Sequence, residues 1–257
     1  ADRLTLQSGD NTTIARKSPV YVREDIQIPV EGAVLGCQIL RPVGAGKHPG
    51  VVLVPGSGAV DRFAGYYIVA ELFAQHGMAS LVCDKRGTGT STGDWRYQTF
   101  EQQARDVVAG MQRLRSRPEV DASRVGIWAL SQGTYPGPIA AVTGDASFLI
   151  MVAGFGNSLR DTVMASNIER MERSGTTTAE IERYKDYFRR WQQAVMANDF
   201  RAYEAVYKQY AGAPWLPGNL QSENVFKTSW QNARARLMWP YDPGATLRQL
   251  KIPVLVF

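Results

Sequence analysis

The chain has 257 residues, of which 44% are hydrophobic and 21% are charged, as is ordinary for a globular protein with a sizeable core. Its net charge of +5 comes from 29 basic and 24 acidic residues that are interleaved, so no basic stripe indicates a nucleic-acid partner. No apolar run approaches the ~20 residues of a membrane-spanning helix, so no membrane span is predicted.

The N-terminal part of the chain predicts an antiparallel hairpin after an irregular segment. Residues 1–20 are polar and show no periodicity. Residues 22–30 alternate between apolar and polar side chains, Glu31-Gly32 is typical of a turn, and residues 33–40 resemble a second strand. The first residue is Ala1, and no secretory leader is visible. We therefore expect a processed or cut chain. Its compartment stays open, and a secreted or periplasmic location after removal of a leader is one expectation.

From residue 51 onward, short apolar strands alternate with helices. The predicted strands are 51–54, 79–83, 125–130 and 148–152, and the predicted helices are 66–76, 100–115 and one that includes 139–142. Continuous apolar strands of this length are typical of a parallel sheet that is covered on both faces. The pattern predicts a doubly wound α/β fold.

This alternation stops near residue 158 and resumes near residue 241. Helical spacing in between predicts helices over 181–196, 200–210 and 226–238, and a last strand follows over 254–257. We therefore predict a core at 1–157, a helical insertion at 158–240 and a return to the core at 241–257.

The chain has two cysteines, Cys37 and Cys83, and each lies in an apolar run. Two are too few for a disulfide scaffold or a four-cysteine zinc site. The sequence predicts two buried free thiols rather than a disulfide. We expect no metal and no other cofactor.

The segment Ser131-Gln132-Gly133 directly follows the strand over 125–130 and precedes a helix. A serine nucleophile on such a sharp turn needs small residues two positions before and after it, and here these are Ala129 and Gly133. The usual glycine is thus replaced by alanine at the first position. Ser131 is the predicted nucleophile, and the N–H of Gln132 would face the oxyanion. A chance Ser-x-Gly triplet is the alternative.

The turn Gly56-Ser57-Gly58 follows the strand over 51–54. Glycine lets a backbone approach a substrate closely, so we expect this turn to supply a second oxyanion donor. The N–H of Ser57 is the first choice and that of Gly58 the second. A plain tight turn without a binding role is the other interpretation. The Pro-Gly-Pro run at 136–138 predicts an irregular start of the helix after Ser131.

Four segments together resemble the α/β-hydrolase superfamily, and within it bacterial esterases related to dienelactone hydrolases and prolyl-oligopeptidase-type peptidases. They are the segments 55–62, 84–91, 129–133 and 250–257. The resemblance covers roughly residues 22–257 and implies an α/β-hydrolase sheet with the helical insertion as a cap over the active site.

Several charged residues could be mistaken for catalytic groups. The resemblance implies that Asp84, Lys85 and Arg86 form a structural turn beside Ser131. For the neighbouring pair Asp61-Arg62 we expect an ion pair that orders the oxyanion turn.

The base and the acid of a serine hydrolase are harder to place. In this fold the chain order is Ser, then Asp or Glu, then His. His48 and His76 both precede strands, whereas catalytic sites form at the carboxyl ends of strands. Asp161 and Asp242 are candidate acids, but weaker ones than residues beyond Phe257, where the resemblance places both the acid and the histidine.

The last predicted strand has a consequence for partners. Without a further strand beside it, the strand over 254–257 would expose an unpaired edge and an apolar face. We therefore expect a C-terminal remainder to stay docked there as a second polypeptide.

Aromatic residues are frequent in the predicted insertion and predict an apolar acyl pocket. The expected substrate is thus a small-molecule ester with an apolar portion, cleaved through an acyl-enzyme on Ser131. A peptidase or thioesterase on the same fold is one alternative. A non-catalytic binding protein that lacks the triad is the other, because function lies in the site and not in the fold.

Overall fold

The computed structural model describes residues 3–16, 20–154, 156–216 and 238–257. Its first element is a hairpin of β1 (Arg3–Ser8) and β2 (Asn11–Arg16). The prediction of an irregular segment over 1–20 was therefore wrong for these residues. Gly9 closes the turn with φ of 60°, a conformation that glycine adopts without strain. Backbone pairing needs no apolar periodicity, so the sequence pattern could not reveal it.

A seven-stranded sheet forms the centre of the protein. Its strands are β3 (Tyr21–Val30), β4 (Ala33–Pro42), β5 (His48–Val54), β6 (Ala79–Cys83), β7 (Val120–Leu130), β8 (Leu149–Val152) and β9 (Val254–Val256). Their order in the sheet is β3-β4-β6-β5-β7-β8-β9. The β3–β4 and β4–β6 pairs are antiparallel, and the remaining pairs are parallel. The predicted mostly parallel sheet with an N-terminal antiparallel hairpin is confirmed.

Helices cover both faces of this sheet. The described helices of the chain are α1 (Tyr66–Gln75), α2 (Phe100–Arg115), α3 (Pro136–Thr143), α4 (Leu159–Arg173), α5 (Thr178–Met196), α6 (Phe200–Gln209) and α7 (Pro243–Leu247). Residues of α1 pack in one core cluster, and residues of α2 and α3 pack in another on the opposite face. Gly110 lets α2 approach the sheet, since a Cβ there would lie 2.8 Å from Leu81 Cδ2. None of the described helices is long and apolar enough to cross a membrane.

Of the described helices, α4 to α7 lie in the chain between the paired strands β8 and β9, and α4 to α6 fall within the predicted insertion. The predicted helices over 181–196 and 200–210 are present as α5 and α6. The sequence pattern missed α4, which Ser158 caps by accepting a hydrogen bond from Asp161 N at 3.2 Å. The predicted helix over 226–238 lies outside the described residues except for Met238. The three domain boundaries stay a prediction.

The two cysteines form a disulfide, so the prediction of free thiols was wrong. Cys37 on β4 lies directly opposite Cys83 on β6 in the antiparallel register. Cys37 is fully buried, as its apolar surroundings predicted. The pairing depends on a register between two strands that are not consecutive in the chain, which local sequence does not show.

Reduction of this disulfide is expected to lower the free energy of unfolding by about 2–4 kcal/mol, because the bond closes a long loop and restricts the unfolded chain. The sequence separation of the two cysteines is 46 residues. Urea unfolding with and without a reductant measures the effect. The Cys37→Ala/Cys83→Ala double variant is the control and should not respond to the reductant. An unchanged midpoint in the reduced native chain would contradict the prediction.

Candidate active site

Ser131 lies directly after β7, at the carboxyl edge of the sheet. Its φ of 51° is in the left-handed region, which a serine adopts only when the surrounding structure enforces it. Strand β7 pairs with β5 on one side and β8 on the other, so the residue projects from the middle of the parallel strands. The side chain is half-buried. This is the backbone geometry expected of a nucleophile on a strand-to-helix turn.

The small residues around Ser131 are required by close backbone contacts. A Cβ on Gly133 would lie 2.5 Å from Val54 O and 2.9 Å from Pro55 O. The residue two positions before Ser131, Ala129, is fully buried, and its methyl group would lie 2.9 Å from a Cβ on Gly137. The end of β5 therefore presses against the turn, and a side chain at position 133 would have to displace main-chain atoms.

Replacing Gly133 with alanine is expected to lower the free energy of unfolding by about 1–3 kcal/mol, the usual cost of overpacking a well-packed site. The same change should lower activity, because it moves the backbone next to Ser131. Gly156→Ala is the matched control, since a Cβ there meets no atom within 4 Å and its φ is not in the left-handed region. Thermal unfolding and steady-state rates of both variants test the prediction, and equal behaviour of the two would refute it.

The chain after Ser131 begins its helix irregularly, as the Pro-Gly-Pro run predicts. Residues Ser131–Thr134 form a single 3₁₀ turn, and α3 starts at Pro136. The Thr134 hydroxyl donates to Ser131 O at 2.6 Å. Proline is tolerated here because the N–H groups in the first turn of a helix form no hydrogen bond within that helix.

Tyr66, the first residue of α1, is a site residue that the sequence analysis missed. Its hydroxyl accepts a hydrogen bond from Gly56 N at 2.8 Å. A Cβ on Gly56 would lie 3.3 Å from both the Tyr66 hydroxyl and Ser131 Cβ. The turn with Gly56, Ser57 and Gly58 therefore lies against Ser131, with Ser57 exposed and Gly58 at φ of 94°. Only the tertiary structure brings the Tyr66 hydroxyl to this turn.

The ion pair that orders this turn is not the predicted Asp61–Arg62 pair. Arg62 instead binds Asp84, with Nη1 2.9 Å from Oδ2, and its backbone N donates to Oδ1 at 2.8 Å. Asp84 is 2% exposed and Arg62 is 8% exposed. Asp84 also accepts hydrogen bonds from the N–H and the hydroxyl of Thr90. The Asp61 carboxylate accepts a local hydrogen bond from Phe63 N at 2.9 Å.

The other charged residues of the 84–91 turn also make contacts within the protein. Arg86 forms two hydrogen bonds with the carboxylate of Asp106, at 2.8 and 2.6 Å. Hydrogen bonding to Asp106 raises the pKa of Arg86 above its ordinary value, although burial opposes this. The ammonium group of Lys85 donates to Gly56 O and, at 3.3 Å, to Gly58 O. These contacts agree with the structural interpretation of the turn.

Neither histidine lies near Ser131. His48 starts β5, six residues before Val54, and Val54 pairs with Ala129 just before Ser131. At about 3.3 Å per residue, His48 lies ~20 Å from that level of the sheet. His76 caps the end of α1 on the same distant edge, where its Nδ1 lies 2.8 Å from Leu72 O. The base of a Ser131 reaction is therefore neither of these residues.

The two candidate acids both lie at the start of helices. Asp161 contacts Ser158 and Arg160 in the first turn of α4, and hydrogen bonds from Arg160 and then Ser158 hold its pKa below the usual value. Asp242 caps α7 by accepting from Gly244 N at 2.8 Å. Across the described part of the chain, no group of three or more His, Cys, Asp or Glu side chains could hold a metal ion.

A cavity of about 630 Å³ lies among α4, α5 and the segment after α6. Its described lining is mostly aromatic or aliphatic and includes Tyr184, Tyr187, Phe188, Trp191, Trp215 and Trp239. Next to Trp239, Met238 accepts weak hydrogen bonds from the side-chain amides of Gln132 and Gln103, each at 3.9 Å. The C-terminal end of the predicted insertion thus contacts the turn that carries Ser131.

A much smaller cavity, of about 70 Å³, lies between α2 and the carboxyl ends of β5 and β6. Lys85, Trp95 and Gln132 line it, whereas Ser131 does not. Among the described lining residues, Ser131 belongs neither to this cavity nor to the larger one.

Comparison with known proteins gives a family match and a fold. A model of the X-Pro dipeptidyl-peptidase family, S15, matches residues 31–257. No curated protein sequence matches the chain.

Solved structures of similar fold have low sequence identity. DcsB, in complex with its substrate analogue, has a TM-score of 0.55 at 19% identity, over 91% of this chain and 79% of that one. A hypothetical protein from Pseudomonas aeruginosa has a TM-score of 0.52 at 13% identity, over 93% and 86%. The α/β-hydrolase GrgF from Penicillium sp. sh18 has a TM-score of 0.49 at 22% identity, over 60% of this chain and 53% of that one. The chain thus spans about half the length of GrgF.

Proposed function

The chain belongs to the S15 family of X-Pro dipeptidyl-peptidases, has the α/β-hydrolase fold, and on this premise we propose that it is a serine hydrolase with Ser131 as its nucleophile. The observation that carries the proposal is the left-handed backbone of Ser131 at the carboxyl end of a central parallel strand. A serine is held in this conformation at a cost of order 1–3 kcal/mol, which is typical of functional sites.

The proposed reaction proceeds through an acyl-enzyme. The Ser131 hydroxyl loses its proton to a base as Oγ attacks the substrate carbonyl, and the leaving group takes up a proton as its bond breaks. The N–H of Gln132, together with that of Ser57 or Gly58, would stabilise the oxyanion. Water then attacks the acyl-enzyme, which releases the acid and restores the Ser131 hydroxyl. Because the described turn 56–58 lies against Ser131, its geometry supports this assignment.

The proposal places the catalytic histidine and acid beyond Phe257. It is supported by the distance of His48 and His76 from Ser131, and by the local contacts of Asp161 with Ser158 and Arg160 and of Asp242 with Gly244 at helix starts. The carboxyl end of β9 lies at the same edge of the sheet as Ser131, since β7, β8 and β9 are parallel neighbours.

As substrate we propose a carboxylic ester with an apolar portion. The aromatic cavity supports an apolar group, and among the described residues that line it Arg170 alone is charged. A dipeptidyl-peptidase binds a substrate with a charged amino terminus, which a carboxylate in the pocket would recognise. A peptidase is nevertheless the second candidate, because the family match favours it. A thioesterase would use the same acyl-enzyme chemistry.

A fluorophosphonate probe tests the nucleophile in the natural protein. Mass spectrometry of the digested adduct should find the label on the peptide that carries Ser131. Absence of labelling would refute the hydrolase and support the non-catalytic binding protein. Rates on short-chain nitrophenyl esters and on X-Pro nitroanilides then separate the two candidate activities: faster ester turnover supports the esterase, and faster anilide turnover supports the peptidase.

We also propose that a C-terminal remainder of the natural protein docks beside β9. In the described part of the chain β9 is the edge strand, and its residues Val254, Leu255 and Val256 are at least 40% exposed although all are apolar. An apolar edge strand of this kind is usually covered in native proteins. Native mass spectrometry of the natural protein tests the idea: a mass that includes a second polypeptide supports it, and the 257-residue species alone rules it out.

A further inference from the structure

The ammonium group of Lys85 is bound to the turn that faces Ser131. It donates to Gly56 O, and Gly58 O accepts from it at 3.3 Å. Its Nζ also lies 5.8 Å from the centre of the Trp95 ring, within the range of a cation–π interaction. The charge of this lysine is thus directed at backbone carbonyls of the turn and not simply at solvent.

The carbonyl that Lys85 binds belongs to the same peptide group as the first-choice oxyanion donor. Gly56 C=O and Ser57 N–H are the two ends of one planar amide, whose electrons are delocalised. A cation on the oxygen draws electron density from the nitrogen and makes the N–H a stronger donor, in the way that hydrogen-bonded chains polarise one another. Bonds from a charged donor are roughly twice as strong as neutral ones, which increases this polarisation.

The backbone of Lys85 is fixed to the same loop. Its N–H donates to Val60 O at 3.0 Å, and the Thr88 hydroxyl donates to the same oxygen at 2.9 Å. The preceding residue, Asp84, binds Arg62, which lies two residues after Val60. These contacts hold the backbone of Lys85 against residues 60–62, so the position from which its ammonium group extends is fixed. A charge fixed in this way provides a preorganised electrostatic field.

Lys85 is also close to the other predicted donor. Lys85 and Gln132 line the same small cavity, whose wall is mostly apolar. The same lining includes the ion-paired side chains of Asp84, Arg86 and Asp106, and a charge beside such a partly enclosed cavity is screened less than in bulk water.

We propose that Lys85 is a positioning residue that strengthens the oxyanion hole by polarising the Gly56–Ser57 peptide. The inference rests on the proposed function, since it requires that an oxyanion forms at Ser131. It assigns to Lys85 an electrostatic effect on the transition state that acts through the backbone, without contact with the substrate.

The test compares Lys85→Met, Lys85→Arg and Lys251→Met in the natural protein. Lys85→Met keeps an apolar stem and removes the charge, and we expect kcat for a nitrophenyl ester to fall about 10- to 100-fold, less than the 10²–10³-fold loss of a whole donor. KM should change less than about threefold, because the effect develops with the oxyanion. Lys85→Arg should restore kcat to within about fivefold, and the exposed Lys251→Met should behave as the native protein.

A spectroscopic measurement separates polarisation from a structural effect. The carbonyl stretching frequency of the Ser131 acyl-enzyme falls as the oxyanion donors become stronger, so Lys85→Met should raise it and Lys85→Arg should not. If Lys85→Met fails to fold, Lys85→Gln removes the charge and keeps an N–H donor, and the same expectations apply.

The outcomes distinguish this inference from the proposed function. If Ser131→Ala abolishes activity while Lys85→Met keeps kcat within twofold, the function stands and the role of Lys85 is overturned. If Lys85→Met and Lys85→Arg lose activity equally, the effect does not depend on charge and the inference is also overturned. If Ser131→Ala keeps its activity, the proposed function itself fails.

Discussion

Replacing Ser131 with alanine is expected to lower kcat for ester hydrolysis by at least ~10⁴-fold, because the acyl-enzyme can no longer form while only oxyanion stabilisation and binding remain. The loss should appear in kcat more than in KM. The free energy of unfolding should change by less than about 0.5 kcal/mol, a typical effect away from packed or strongly bonded groups. Steady-state kinetics and urea unfolding of the purified variant measure both quantities.

Ser57→Ala is the matched control for this experiment. Ser57 lies in the opposing turn and is exposed, and only its backbone N–H enters the proposed mechanism. The variant keeps that N–H, so its kcat should stay within a few-fold of the native value. Loss of activity in Ser57→Ala together with retention in Ser131→Ala would show that the nucleophile had been assigned to the wrong serine.

Replacing Asp84 with asparagine is expected to destabilise the protein by about 3 kcal/mol or more. The change leaves the buried guanidinium of Arg62 without its main counter-charge, and removal of one partner from a buried pair typically costs about 3–5 kcal/mol. Asp25 lies 3.5 Å from Arg62 and is exposed, so it offsets part of the loss and favours the lower end of this range. Urea unfolding measures the effect.

An exposed ion pair provides the comparison for Asp84. Glu169 pairs with Arg173 one turn away on α4, and both side chains are exposed. Glu169→Gln should therefore cost only about 0.3–0.5 kcal/mol. A double variant, Arg62→Gln/Asp84→Asn, should recover part of the stability of Asp84→Asn, since it also removes the unpaired charge. Equal costs for the Asp84 and Glu169 single variants would contradict the ion-pair explanation.

The fold was predictable where periodicity and local turn chemistry suffice. The strand β7 and the helix α2 have apolar patterns that match their structures. Thr99 is the N-cap of α2, and its side chain and that of Gln102 accept from each other's backbone N–H groups. Ser131 could be identified because its turn needs small neighbours at fixed spacing. The assignment of its chemical role stays a prediction.

Features that depend on contacts between distant segments could not be predicted. The partner of Arg62 is Asp84, 22 residues away, rather than its neighbour Asp61. The Cys37–Cys83 pair requires β4 and β6 to be adjacent although β5 and α1 lie between them in the chain. In each case the local sequence gives the residue type and its burial, whereas the sheet order determines the partner.

Because the helices α4 to α6 lie between β8 and β9, changes in these helices can occur without changes in the sheet. The strands on either side of this insertion bond to each other directly, with Met151 opposite Val256. Exchange or lengthening of the inserted helices can therefore leave the registers of β5, β6 and β7 intact, and with them the turn at Ser131. On the proposed function, such changes would alter the aromatic cavity and keep the turn that carries Ser131.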